Sequence, residues 1–306
     1  MTFTMGADPE FMLVDDKGHI HSAIGIVEGT SEQRLKIKSH QFYYDNVLAE
    51  CAIAPGNSRK KVIDSFRECF EIYAAIVEEH KLKLLPRAFH EYDESELKHE
   101  DARRVGCSID RCAYKVQDTE PPKDIIAKSN IRSGGGHLHL GSQSVLEEWC
   151  FFTAPTVVLM DLFLGFPSLY IDHDPTSAAR RKIYGQAGRY RIKEYGLEYR
   201  TLSNFWLASP KLVGLMYDLS EFVLDIVDKR FGDFCKADFD KYTSEDPSKA
   251  YKYKYDAKKV RKAIDTSTKD DELLDYALSK MPKGLAADLR SFTKPVQYDM
   301  YKEWGL

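Results

Sequence analysis

GGGHLHLG, residues 134–141, decides how the rest of the chain is read. His137 and His139 alternate with Leu138 and Leu140, the period-two pattern of a strand with one polar and one apolar face. Gly134, Gly135 and Gly136 before it permit a positive φ or close backbone approach, which a phosphate-bearing ligand beside the histidines would need. A β-bulge or sheet bend explains the same glycines equally well. Working outward, RYRIKEYGLEYRTLSNFW (189–206) reads as a hairpin around Glu194 to Gly196. ADPEFMLVD (7–15), a turn at Asp16-Lys17-Gly18 and HIHSAIGIV (19–27) read as a second hairpin. QFYYDNVLAECAIAP (41–55) reads as one strand closed by Pro55-Gly56, and LKLLPRAF (82–89) as another.

Helical spacing takes over in three places. Asn57 or Ser58 caps a helix whose apolar positions Val62, Phe66, Cys69, Phe70, Tyr73, Ile76 and Val77 run to about Lys81. A second helix is expected over about 144–164, and a third over about 210–230, with Leu212, Leu215, Met216, Leu219, Phe222, Val223 and Ile226 on its apolar face. Residues 91–130 and 172–187 read as polar loops. Strands joined directly to strands, with long helices arriving between hairpins, lack the βαβ alternation of a doubly wound fold. The expectation is an α+β fold with a mainly antiparallel sheet packed by long helices. Residues 1–231 are expected to form the catalytic domain, and 232–306 a mostly helical extension packed on it.

Composition narrows the function classes. With 44 basic and 48 acidic residues the net charge is -4, so the chain as a whole is no polycation for nucleic acid. The six cysteines show no CxxC spacing, and Cys51, Cys69 and Cys150 lie in apolar runs, which suits free thiols in a reducing cytoplasm. MTFTMGADPEF has neither the charged nor the apolar region of a signal peptide. CFFTAPTVVLMDLFLGFPSLYI (150–171) is interrupted by Pro155, Asp161 and Pro167, and a buried helix is expected there rather than a membrane span.

Parity assembles the candidate site. Asp8 and Glu10 share one face of their strand, His137 and His139 share another, and Glu198 faces with Arg200. Glu50 sits in an otherwise apolar strand, where an unpaired carboxylate is costly. Each alone is explained by a structural ion pair. Four acidic or imidazole-bearing strands brought together would crowd carboxylates in a way divalent cations relieve, and the mixture suits Mg²⁺ or Mn²⁺ better than structural zinc. Asp45 differs from Glu50 by an odd number, so on one regular strand it would face away. Arg180, Arg181, Arg189, Arg191 and Arg200 crowd into RRKIYGQAGRYRIKEYGLEYR (180–200), and their guanidinium forks match phosphate or carboxylate oxygens. No GxxxxGK[ST] occurs, so a P-loop is excluded.

GADPEF, DNVLAE, GGGHLHLG and GLEYR, in that order over residues 6–207, resemble the strands of the glutamine-synthetase-like superfamily of carboxylate-amine ligases, and in particular its phage-type COOH-NH2 ligases. The resemblance implies a curved half-barrel sheet, ATP with two or three Mg²⁺ or Mn²⁺ ions, and amide formation through an acyl phosphate between a carboxylate substrate and an amine substrate. It makes Asp8, Glu10, Glu50, His137 and Glu198 metal ligands, sets Asp45 beside them, and brings His139 near the nucleotide phosphates and Arg200 near the transferred phosphoryl group. Gly135, Gly136, Arg180 and Arg181 are the other candidates for the nucleotide, and Arg189 and Arg191 for the phosphoryl group. No membrane partner is expected, and a phage-encoded enzyme would work in the host cytoplasm. Three alternatives remain: a metal-dependent hydrolase using similar ligands, an inactive nucleotide-binding relative, and a nucleic-acid binder. The last is motivated by YKYKYDAKKVRK (251–262), where tyrosines interleave with lysines; a surface strand running into a helix explains the same letters and is preferred.

Overall fold

The computed structural model describes residues 3–104, 110–119, 127–142, 149–241, 243 and 246–306. The N-terminal strand β1 (Phe3–Val14) is the spine of the fold. It is followed by β2 (Ile20–His21), β3 (Leu35–Ile37), β4 (His40–Asp45), β5 (Leu48–Ala52), β6 (Lys83–Leu85), β7 (Phe89–Glu91), β8 (Asp110–Cys112), β9 (Gln117–Thr119), β10 (Ile131–Ser133), β11 (Gly136–Ser142), β12 (Arg189–Lys193) and β13 (Gly196–Tyr199). The main sheet runs β3-β4-β5-β1-β11-β13-β12-β8-β9, with β2 and β6 also paired to β1. Every strand pairing in it is antiparallel, and its two ends do not meet, so the sheet is open. This is the mainly antiparallel α+β architecture that the hairpin pattern predicts.

The apolar face of the sheet carries the core. Phe11, Phe42, Leu138, Leu140 and Tyr199 are buried against the helices Arg59–Glu78, Trp149–Met160 and Pro210–Asp225. Phe11 meets Phe70 edge-on at 5.4 Å between centroids, and Phe42 meets Tyr73 at 5.1 Å. Ser58 caps the first helix by accepting from the Lys61 amide. The long apolar run forms a helix, Phe152–Ile171, that is buried within the fold from Thr153 onward, with a π-helical segment at Asp161–Gly165. Cys51, Cys69, Cys112 and Cys235 are buried free thiols; Cys107 lies outside the described residues, as do 144–148 of the second expected helix.

Residues 91–130, read as loops, contribute β8 and β9 to the main sheet, and two further local readings are corrected. Residues 41–55 form a hairpin, β4 and β5, reversing at Asn46, whose φ is 59°. The 172–187 stretch contains a helix, Ser177–Ile183, and buries Arg180 and Arg181 rather than holding them in a solvated loop. The preferred reading of 251–262, a strand running into a helix, holds: β15 (Tyr251–Tyr253) pairs with β14 (Cys235–Ala237), the helix Ala257–Thr266 follows, Tyr253 and Tyr255 pack against the core, and the Tyr255 hydroxyl donates to the Val158 carbonyl. Tyr253 and Tyr255 are therefore not free to stack bases. At the end of the chain, Trp304 lies on Phe70 at 5.1 Å and its indole donates to the Leu207 carbonyl.

Candidate active site

The polar face of the sheet collects the predicted side chains into one row. Register sets Asp8 opposite His137, Glu10 opposite Glu50, His139 opposite Glu198, and Glu198 opposite Arg191. Five neighbouring strands thus contribute to a single patch. His139 Nε2 is 3.1 Å from Asp8 Oδ1 and His137 Nδ1 is 3.3 Å from the same oxygen, while Glu10 and Glu198 stand 3.9 and 3.8 Å from His137 Nδ1. The Glu10 carboxylate accepts from the Gly135 amide at 2.7 Å, and Glu50 from the Tyr43 hydroxyl at 2.7 Å. The β4–β5 hairpin resolves the parity of Asp45. Because Tyr43 lies directly across from Glu50, Asp45 shares their face and lines the same cleft.

One trio stands out. Donor atoms of Asp8, His139 and Glu198 lie within 4.8 Å of one another. Asp8 Oδ1, His139 Nε2 and both Glu198 oxygens are buried in ion-pair contacts that lack an aligned hydrogen bond, and the other His139 nitrogen is held by the Tyr195 hydroxyl. Two carboxylates and an imidazole whose far side is fixed by a partner make a donor set that fits a divalent cation. The sequence assigns His137 to that role; the convergence here is on His139, with His137 buried between Asp8, Glu10 and Arg200.

The electrostatics express the crowding. Burial, reinforced by the Asp8 charge, pushes Glu10 up to about 8, against the Gly135 amide, Arg200 and Arg180. Burial also raises Glu50, with Glu10, Asp8 and Asp45 adding like charge, and it raises Asp45 and Glu198. For Asp8 burial is outweighed by the two imidazoles, which hold the carboxyl well below its ordinary value. Burial and then Arg200 push His137 down to about 3.

Arginines border the carboxylates on one side. Arg200 pairs with Glu198, reaches Asp110 Oδ1 at 3.2 Å and donates to the Tyr184 hydroxyl. Arg191 is 2.9 Å from the same Asp110 oxygen, and Lys193 is 2.8 Å from Glu198. Arg180 is buried behind Tyr184, with its guanidinium 5.5 Å from that ring, and donates to the Thr201 carbonyl. Arg181 turns toward Asp172, 3.8 Å away, and Arg189 reaches Thr119; neither joins the carboxylate cluster. Gly134, Gly135 and Gly136 have no positive φ. Their missing Cβ atoms make room for the protein itself: a Cβ would stand 2.6 Å from the Arg87 carbonyl at Gly134, 2.5 Å from His137 Nε2 at Gly135 and 2.9 Å from the Ser203 carbonyl at Gly136.

The cleft above this patch encloses about 110 Å³ and is lined by Asp8, Glu10, Asp45, Glu50, His137, Tyr184, Arg191 and Arg200 on one side and by Asn46, Arg104, Arg132 and Ser133 on the other. Sequence reasoning missed Asp110, Tyr184, Lys193, Tyr195 and Arg132. Lys193 was legible, since it shares strand parity with Arg191; Asp110 and Arg132 come from segments with no periodicity to place them.

The open antiparallel sheet thus joins clustered carboxylates to arginines on its polar face. Residues 130–284 match the model of the phage phiEco32-like COOH.NH2 ligase-type 2 family, and the chain belongs to that family. No curated protein sequence matches it. Among solved structures its fold is similar to that of a bifunctional glutathione synthetase from Pasteurella multocida, with a TM-score of 0.51 at 11% identity. The match covers 99% of this chain and 48% of the other, so the chain spans about half the length of that protein.

Proposed function

We propose that the chain is an ATP-dependent carbon-nitrogen ligase, joining a carboxylate to an amine through an acyl phosphate, at a cleft that holds two or three Mg²⁺ or Mn²⁺ ions. Membership of a carboxylate-amine ligase family supports the class. The observation that carries the site is the convergence of Asp8, His139 and Glu198 donors beside the Arg200–Asp110–Arg191 network. Asp8, His139 and Glu198 would hold one cation, and Glu10, Glu50, Asp45 and His137 the remainder. Bound divalent cations neutralise the charge of the nucleotide phosphates and of the carboxylates around them.

In the first step an oxygen of the substrate carboxylate attacks the γ-phosphorus of ATP, and ADP leaves. In the second the amine nitrogen attacks the acyl carbon, losing a proton as inorganic phosphate departs. Arg200 and Arg191 present guanidinium N–H groups where negative charge builds on the moving phosphoryl group, and Asp110 keeps both forks in place. Arg180 adds positive charge behind them. Gly135 acts through Glu10, whose carboxylate its amide orients. The buried free thiols suit a reducing cytoplasm, which is part of this reading.

The test is incubation with ATP and Mg²⁺ or Mn²⁺ across pools of acids and amines, following ADP by chromatography and new amides by mass spectrometry. Acid-dependent ADP with a condensation product is expected. Cleavage of an amide or phosphate ester without any need for ATP would transfer the same residues to a hydrolase.

A further inference from the structure

The β14–β15 hairpin and the helix that follows it, Ala257–Thr266, carry exposed lysines that have no acidic partner among the described residues. Alternation along this stretch packs Tyr253 and Tyr255 against the core and leaves Lys252 and Lys254 exposed on the opposite face. Register sets Lys236 of β14 directly across from Lys252, so two like charges share one face of a two-stranded ribbon, which weakens it. On the helix Lys258 and Lys262, both exposed, repeat the like-charge pairing one turn apart. Lys254 and Lys258 are close in the chain, their Cα atoms at most ~14 Å apart, so ribbon and helix lysines form one stripe. The acids of this region are engaged with other cations: Asp238 with Lys241 at 2.5 Å, Asp246 with Lys249 at 3.8 Å, Asp265 with Arg261 at 3.5 Å and Asp270 with Lys259 at 2.8 Å. Asp256 caps the helix by accepting from the Lys259 amide, and Asp240 acts on Lys241. The stripe is thus locally uncompensated on a chain whose net charge is -4.

We infer that Lys236, Lys252, Lys254, Lys258 and Lys262 form a docking surface for the phosphate backbone of a nucleic acid, held by charge alone and without base preference. The composition of the stripe favours phosphates over an acidic protein surface. Lysine is depleted from protein–protein interfaces, which centre on aromatic and apolar side chains, and here the rings that could supply such a centre, Tyr253 and Tyr255, are packed inside. The same packing removes base stacking. What is left is a row of point charges, which positions a nucleic acid through its phosphates and carries no sequence information. A phosphate seated between Lys236 and Lys252 turns their repulsion into two attractions. None of the five lysines lines the cleft, so the surface is independent of the ligase reading.

Fluorescence anisotropy of a labelled DNA duplex of about 20 base pairs, titrated with the full chain between about 50 and 200 mM salt, tests the surface without ATP. With all five lysines on phosphates, log K is expected to fall against log salt with a slope of about -4.5, roughly 0.9 for each contact. Lys236→Gln combined with Lys252→Gln, both exposed and checked for fold by circular dichroism, is expected to make the slope shallower by about 1.8. The same change at Lys36 and Lys98, exposed elsewhere on the molecule, should leave it unaltered. An equal loss at those two control positions overturns the inference, as does a wild type that fails to bind the duplex at the lowest salt. A marked preference among duplexes of equal length and different sequence overturns docking by charge alone. Poly-glutamate that displaces the duplex at equal concentration of charge transfers the surface to an acidic protein partner and overturns the nucleic-acid assignment.

Discussion

At the scale of single residues, the site is governed by charges that cannot escape one another. Arg200 is the hub, touching Glu198, Asp110, Tyr184 and His137 at once. Lysine would keep the charge but not the planar fork, so Arg200→Lys is expected to lower acid-dependent ADP formation by about 10²- to 10³-fold, the cost of losing one preorganised donor, with the fold intact by circular dichroism. Asp161 behaves differently. It lies on the other side of β13, fully buried, accepting from the Tyr199 hydroxyl at 2.6 Å and the Thr201 hydroxyl at 3.3 Å. Burial raises its carboxyl to about 7. Because the folded chain holds this proton more tightly than the unfolded one, the associated stability is present below about pH 4 and lost as pH rises to about 7. Asp161→Asn should flatten that decline, so thermal melts of variant and wild type from pH 4 to pH 8 should converge or cross as pH rises. Parallel curves would refute the raised value. Residue parity was enough to group Asp8 with Glu10, and His137 with His139. It could not distinguish which imidazole converges on Asp8 and Glu198, because that depends on side-chain rotamers and on Tyr195.

At the scale of elements, the hairpin of β4 and β5 shows how one turn changes a site. Read as a single strand, 41–55 places Asp45 on the wrong face; reversal at Asn46 brings it beside Glu50. A positive φ at asparagine is a recognised turn signal, but the apolar letters on either side masked it. The glycine run before β11 is a second case. The sequence leaves open whether glycine serves a ligand or the protein, and here Trp206 donates to the Gly136 carbonyl while Ser203 crowds its Cα. Gly136→Ala should therefore destabilise by about 1–3 kcal/mol, the range for overpacking a filled core, measured as a lower midpoint in chemical denaturation. An unchanged midpoint would show that the strand yields easily.

At the scale of the whole molecule, Glu10 and Glu50 face each other across β1 and β5, burial and neighbouring like charge raise both carboxyls, and on the proposed reading divalent cations would relieve the cluster they join. Mg²⁺ or Mn²⁺ should raise the melting temperature of the wild type; binding at about 100 times Kd contributes ~2.7 kcal/mol. Glu10→Gln should melt higher than wild type in chelator and respond less to the divalent ion. A variant that melts lower in chelator would show that Glu10 is stabilising without metal. The far end of the chain matters too: Trp304 seals Phe66 and Phe70 of the helix Arg59–Glu78, with rings 6.5 and 5.1 Å away. Trp304→Ala is expected to cost about 3–5 kcal/mol, as for other large-to-small core changes.

The sequence by itself determined β11, the hairpin of β12 and β13, the long helices and their buried faces, and the grouping of Asp8, Glu10, the two histidines, Glu198 and Arg200, because periodicity is a local property of backbone geometry. It pointed to the right family for the same reason, since the motifs sit on those strands in order. Tertiary structure alone decided that Asp110 braces Arg191 and Arg200, that Arg181 and Arg189 turn away from the carboxylate cluster, and that Arg132 is buried with Asn46 and backbone carbonyls as its hydrogen-bond acceptors. Those facts depend on segments with no period meeting across long chain separations, and electrostatic pairing at a few ångströms leaves no trace in the order of the letters.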